Sequence, residues 1–144
     1  MKRFVFLLSV LCLFTTLSLN ASTCTPTGFI RDGLNMTAAV INPTATVTGQ
    51  VNATGCNIGV YIDSQDATID TAEIFGANYF GVVVNGDVGS PSASITSSNI
   101  HDIGESPLNG TQHGVGIYYR GLSDLSAVTG KIGTDTPLLS GLRP

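Results

Sequence analysis

Charge is scarce in this sequence: 11% of its residues are Asp, Glu, Lys or Arg, less than half the roughly 25% of an ordinary globular protein. A salt-bridged surface is therefore excluded, and Ser, Thr, Asn and Gly must supply the solvated faces, which favours flat, regular ones. Basic residues are the scarcer sign, six against ten acidic, so nucleic acid and anionic membranes are poor partners. No phosphate-binding glycine loop, zinc-type spacing or Gly-x-Ser-x-Gly elbow is present, and no motif fixes a reaction or a ligand. A sustained helical period is missing as well.

Only one long hydrophobic run exists, and it lies at the start. Lys2 and Arg3 precede an apolar stretch from Phe4 to Leu19 broken by Ser9, Thr15, Thr16 and Ser18, and small residues follow at Ala21, Ser22 and Thr23. This order describes a signal peptide over residues 1–22, cut between Ala21 and Thr23. The run is shorter than the ~20 apolar residues that span a bilayer, so an uncleaved anchor is the lesser reading. A lipid anchor on Cys12 is disfavoured because Leu11, not a small residue, precedes it. The expected location is secreted, extracellular or periplasmic, with no membrane contact after the signal is removed.

The remaining chain, about 120 residues, is one domain in size. It keeps four basic residues (Arg31, Arg120, Lys131, Arg143) against ten acidic ones, a net charge of −6. Cys12 leaves with the signal, and Cys24 and Cys56 remain as an even pair in an oxidising compartment, so a disulfide is expected. Closing that loop contributes on the order of 3 kcal/mol in the chain-entropy model.

Repeats carry most of the information. Gly-Val pairs open short β-branched runs at Gly59, Gly81 and Gly114, in steps of 22 and 33 residues. Insertions account for the longer step: Val47 to Ile69 takes 22 residues and Ile69 to Ile95 takes 26. The extra residues fall in Asn85–Ala93 and Glu105–Gln112, rich in Gly, Pro, Ser and Asn, where loops belong. Bursts such as Ala45-Thr-Val-Thr48, Ala67-Thr-Ile-Asp70 and Ala93-Ser-Ile-Thr96 alternate with period two. The expected fold is all-β, a short right-handed parallel β-helix of about three to four coils over residues 45–136, each coil giving about three strands. Residues 23–44 are expected to form an N-terminal cap, with Thr37–Ile41 its one helical turn. Residues 137–144 read as an irregular tail, as if a last coil were truncated.

Gly28-Phe-Ile-Arg-Asp-Gly33, Gly55-Cys-Asn-Ile-Gly-Val60, Gly76-Ala-Asn-Tyr-Phe-Gly-Val-Val-Val-Asn85 and Ile100-His-Asp-Ile-Gly-Glu-Ser-Pro-Leu-Asn-Gly-Thr-Gln-His-Gly-Val115 resemble segments of secreted bacterial right-handed parallel β-helix repeat proteins. Those proteins are largely uncharacterised and share the pectate lyase-like architecture. The resemblance covers about Gly28 to Arg120 and implies a fold rather than a chemistry. Pectate lyase-like enzymes use several Asp residues to hold calcium and an Arg as base. The acids here are Asp63, Asp66, Asp70, Glu73, Asp87, Asp102 and Glu105, and Arg120 is the matching cation. No spacing places three acids on one strand face, so solvated turn acids are the better reading and no metal or cofactor is expected.

His101, Asp102, Glu105 and His113 form the densest titratable cluster, and a histidine beside a carboxylate can do acid–base work near neutral pH. They are the candidate catalytic residues, set against plain turn and loop roles, because neighbours such as His101 and Asp102 point to opposite faces of a strand. Tyr61, Tyr79 and Tyr118 recur near the Gly-Val runs, with Tyr119 beside the last. Facing outward together they would stack on sugars; facing inward they would be core. Thr44, Thr46 and Thr48 alternate as on a flat ice-binding face, but only once. Sequons at Asn35, Asn52 and Asn109 matter only in a eukaryotic host.

The leading expectation is a secreted non-catalytic surface or binding protein that presents a polar face to a polysaccharide or cell-envelope glycan. The alternative is a polysaccharide lyase or glycoside hydrolase-like module, complete or a fragment. Ice binding is a third and weaker reading.

Overall fold

A computed structural model describes residues 23–104, 114–121 and 129–132, with the side chains of the last four left aside. The expected signal segment, Glu105, His113 and the tail from residue 137 lie outside the described residues. Ten strands follow in chain order: β1 (Thr25–Arg31), β2 (Leu34–Ile41), β3 (Val47–Asn52), β4 (Ile58–Ile62), β5 (Ala67–Phe75), β6 (Phe80–Asn85), β7 (Ser92–Thr96), β8 (Asn99–His101), β9 (Val115–Arg120) and β10 (Thr129–Ile132). The all-β expectation holds among the described residues.

The expected single right-handed parallel β-helix does not. The strands form two separate sheets, and from β2 to β7 the chain deals successive strands alternately between them. Sheet A runs β1-β2-β4-β6-β9 and is mixed, because β1 pairs antiparallel with β2 while the other pairs are parallel. Sheet B runs β10-β7-β5-β3, with β8 also on β5, and every pair in it is parallel.

The antiparallel pair has a local cause. Asp32 and Gly33 both take positive φ (50° and 77°) between the paired Arg31 and Leu34, the geometry of a two-residue hairpin turn. The segment Thr37–Ile41, expected as a helical turn, lies in β2, where Ala38, Val40 and Ile41 pair with Ile58, Val60 and Tyr61 of β4. Ladder pairing of the β-branched Val40 and Ile41 outweighs the weak helical preference of Ala38-Ala39.

Burial follows the strand alternation. In sheet A, Val60, Ile62, Val82 and Val84 join Ile69, Ile74, Ile95 and Ile100 of sheet B in one apolar core. Tyr61 and Val83, one residue out of phase, enter a second cluster with Phe29, Met36, Ile58, Tyr79 and Phe80. Both faces of β4 and β6 are therefore covered, and every residue of the two strands is buried. Phe29 of the hairpin covers the second face, its ring stacked on Tyr61 at 6.1 Å and tilted against Phe80 at 6.4 Å.

The Gly-Val repeat marks a tight contact, where strands of sheet A meet isoleucines of sheet B. A Cβ on Gly59 would stand 2.5 Å from both the Gly81 carbonyl oxygen and Cγ2 of Ile74, so only hydrogen fits. Gly81 is closed in the same way by Ile100 and the carbonyl of Gly116. The register pairs Phe80 with Val115 and Val82 with Ile117, which puts Gly116 on the level of Gly81. The third glycine of the ladder is thus Gly116, two residues beyond the expected Gly114.

The disulfide expectation is correct: Cys24 and Cys56 are bonded, with Cα atoms 5.3 Å apart. The bond ties the start of β1 to the turn before β4, where buried Cys56 packs with Ala53 and Ala77.

Candidate functional site

The carboxyl ends of β4, β6 and β9 open beneath the β1–β2 hairpin. They form a cleft of about 280 Å³ lined by Thr27, Gly28, Phe29 and Ile30 on one side and Tyr61, Asp63, Asn85, Asp87, Val88 and Arg120 on the other. That is just under the usual size of a small-molecule site, and it mixes apolar walls with a few fixed polar groups as such sites do. Ile30 and Val88 at this cleft are 58% and 74% exposed, apolar groups that the fold itself does not use.

Arg120 ends β9, and its guanidinium lies 3.2 Å from the Asp87 carboxylate and 4.6 Å from the centroid of the Phe29 ring. Both side chains of the ion pair are 19% exposed, so solvent screens the pair less than an open surface pair. The Arg120 carbonyl also accepts the Gly86 N–H at 2.6 Å, which locks the loop after β6 onto the end of β9. Asn85 is buried; its amide donates to the Tyr61 hydroxyl at 2.8 Å and its carbonyl accepts the Asp87 N–H at 3.2 Å. Asp63 follows β4 and accepts from the Asn42 amide at 2.8 Å. Burial pushes the Tyr61 phenol above its ordinary pKa, and the charges of Asp63 and Asp87 push the same way, against the Asn85 hydrogen bond.

Of the tyrosines singled out in the sequence, only Tyr61 lines this cleft. Tyr61 and Tyr79 are buried and Tyr118 is half-buried, all in the aromatic cluster under the hairpin. Tyr118 stacks on Phe80 at 5.1 Å and meets Arg31, whose guanidinium donates to its hydroxyl at 3.4 Å. The rings therefore hold the hairpin down.

The second arrangement is on sheet B. His101 at the end of β8 faces two carboxylates: Nδ1 lies 2.8 Å from Asp102 and Nε2 lies 3.2 Å from Glu73 of β5. Glu73 in turn accepts from the Gln50 amide of β3 at 2.7 Å, and the imidazole stacks on Phe75 at 5.5 Å. His101 and Asp102 were expected to point apart. Asp102 instead lies past the strand end with φ of 52°, and this left-handed step brings its carboxylate back to its neighbour. Burial works to lower the His101 pKa, but the hydrogen bonds and charges of Asp102 and Glu73 outweigh it and hold the imidazole above its ordinary value. Both ring nitrogens are engaged, and the triad does not line the cleft.

The remaining acids serve the stacking of the strands. Asp66 accepts from the Ser92 side chain and its N–H (2.9 Å), which holds its carboxyl below the ordinary range, and Asp70 accepts from the Thr96 hydroxyl at 2.6 Å. Among the described residues no group of three or more His, Cys, Asp or Glu side chains is placed to hold a metal ion. The sequence reading did not single out Phe29, Asn85 or Val88, which come together only through the hairpin and the register of sheet A.

No family model, curated protein or solved structure matches this chain. Among the described residues no helix is long and apolar enough to cross a membrane, and this together with the Cys24–Cys56 bond is compatible with an extracellular location.

Proposed function

We propose that this is a secreted, non-catalytic binding protein that takes a sugar-sized polar unit of a polysaccharide or cell-envelope glycan in the cleft beneath the hairpin. The observation that carries the reading is the chemistry of the lining. Asp63, Asn85, Asp87 and Arg120 offer donors and acceptors suited to hydroxyl groups, beside the apolar walls of Phe29, Ile30, Tyr61 and Val88. A sugar has one polar rim and one apolar face, and such a wall answers both. Secretion is supported by the disulfide and by the charged, apolar and small-residue order of the first 22 residues.

A second reading, a lyase or hydrolase module, draws on the Glu73–His101–Asp102 triad. It is the weaker one because both imidazole nitrogens are already bonded to carboxylates, and the triad stands outside the cleft.

The test is a screen of oligosaccharides for binding and for product release, run on the protein and on Asp63→Ala and His101→Ala. Binding that falls at least about tenfold in Asp63→Ala, without product release, is the expected result. Product release abolished by His101→Ala would replace binding by catalysis. An absence of binding to every oligosaccharide would overturn the proposal.

A further inference from the structure

The cleft carries a charge preference that narrows its ligand, an inference that rests on the binding reading above. We propose that it selects an amine-bearing sugar unit over a uronate. The charged groups lining it are two carboxylates, Asp63 and Asp87, against one guanidinium, Arg120. That guanidinium is already committed, 3.2 Å from Asp87 and packed on the Phe29 ring. An acidic sugar would have to share the guanidinium with Asp87, which sets a second negative group beside a partly buried carboxylate.

An ammonium meets the opposite situation. Asp63 accepts from the Asn42 amide and from the Tyr61 hydroxyl, neither of which brings a charge, so its negative charge remains to be answered from the cleft. The Tyr61 hydroxyl is engaged on both sides, taking a hydrogen bond from the Asn85 amide and giving its own proton to Asp63. An ammonium group against Asp63 would supply the positive charge that these neutral partners lack. The charge of the chain beyond the signal segment works in the same direction, because its ten acids against four bases repel polyanions and attract polycations at long range.

The decisive comparison changes the ligand rather than the protein, so folding is not at stake. Glucosamine trimer, its N-acetylated counterpart and galacturonate trimer are titrated calorimetrically into the disulfide-bonded protein at pH 6, where the sugar amine is protonated. The glucosamine trimer is expected to bind at least about tenfold tighter than the acetylated one. The galacturonate trimer should be weakest, salt should narrow the gap, and Asp63→Asn should narrow it further. Equal affinity for the two matched trimers, or tighter binding of galacturonate, would overturn the charge preference while leaving the cleft a binding site. If none of the three binds, the binding reading falls and this inference with it.

Discussion

The guanidinium of Arg120, the last residue of β9, lies 4.6 Å from the centre of the Phe29 ring in β1. Residues 91 positions apart thus close one wall of the cleft, and the hairpin that carries Phe29 is fastened across sheet A at both ends. Arg31 and Tyr118 hold its tip, and Cys24 with Cys56 holds its base.

Replacing Arg120 by Met removes the cation over Phe29 and the partner of Asp87. The contact and the partly screened ion pair together are worth about 1–2 kcal/mol. Urea unfolding should show that loss, and a double-mutant cycle with Phe29→Leu should recover a coupling of roughly 0.5–1 kcal/mol. Additive effects would mean that the two groups do not interact.

Gly81→Ala places a methyl group against Ile100 and the backbone of Gly116, where neither sheet can give way. Overpacking of this kind costs about 2–3 kcal/mol, measurable as a lower urea midpoint. Gly86→Ala, in the loop after β6, serves as the comparison, and a similar loss there would show that the effect is not specific to the sheet–sheet contact.

The His101 triad gives a pH signature. Its pKa is raised in the folded protein, so its contribution is complete below the unfolded value near 6.5 and is lost as pH rises through the folded value. The thermal midpoint of the protein, compared with His101→Gln, should therefore fall between pH 6 and 9. A difference that is constant over this range would show that Asp102 and Glu73 do not favour the protonated ring.

Reducing the Cys24–Cys56 bond, or replacing both residues by Ser, should cost about 3 kcal/mol and free the base of the hairpin. Amide exchange would then rise first in β1 and in the Cys56–Asn57 turn. An unchanged midpoint on reduction would show that the ring contacts alone hold the hairpin.

The sequence disclosed what depends on local spacing. The levels Val47, Ile69 and Ile95 are true sheet partners because each loop insertion leaves the strand on either side intact. The cysteine pair was legible from parity alone. The third glycine was misplaced because Gly114 and Gly116 flank the same valine, and only pairing to β6 decides between them. The hairpin was missed although Asp32-Gly33 is a strong turn signal, since Ala38-Ala39 drew attention to a helical turn instead. Tyr61, Asp63, Asp87 and Arg120 were legible one by one but not as a cleft, because its walls come from β1, the ends of β4 and β9 and the loop after β6.

The most direct test of the account is amide chemical-shift mapping of the ¹⁵N-labelled protein with glucosamine trimer. Shifts centred on Thr27–Ile30, Asp63, Asn85 and Arg120 are the predicted result. Shifts centred on Glu73, His101 and Asp102, or none at all, would contradict it.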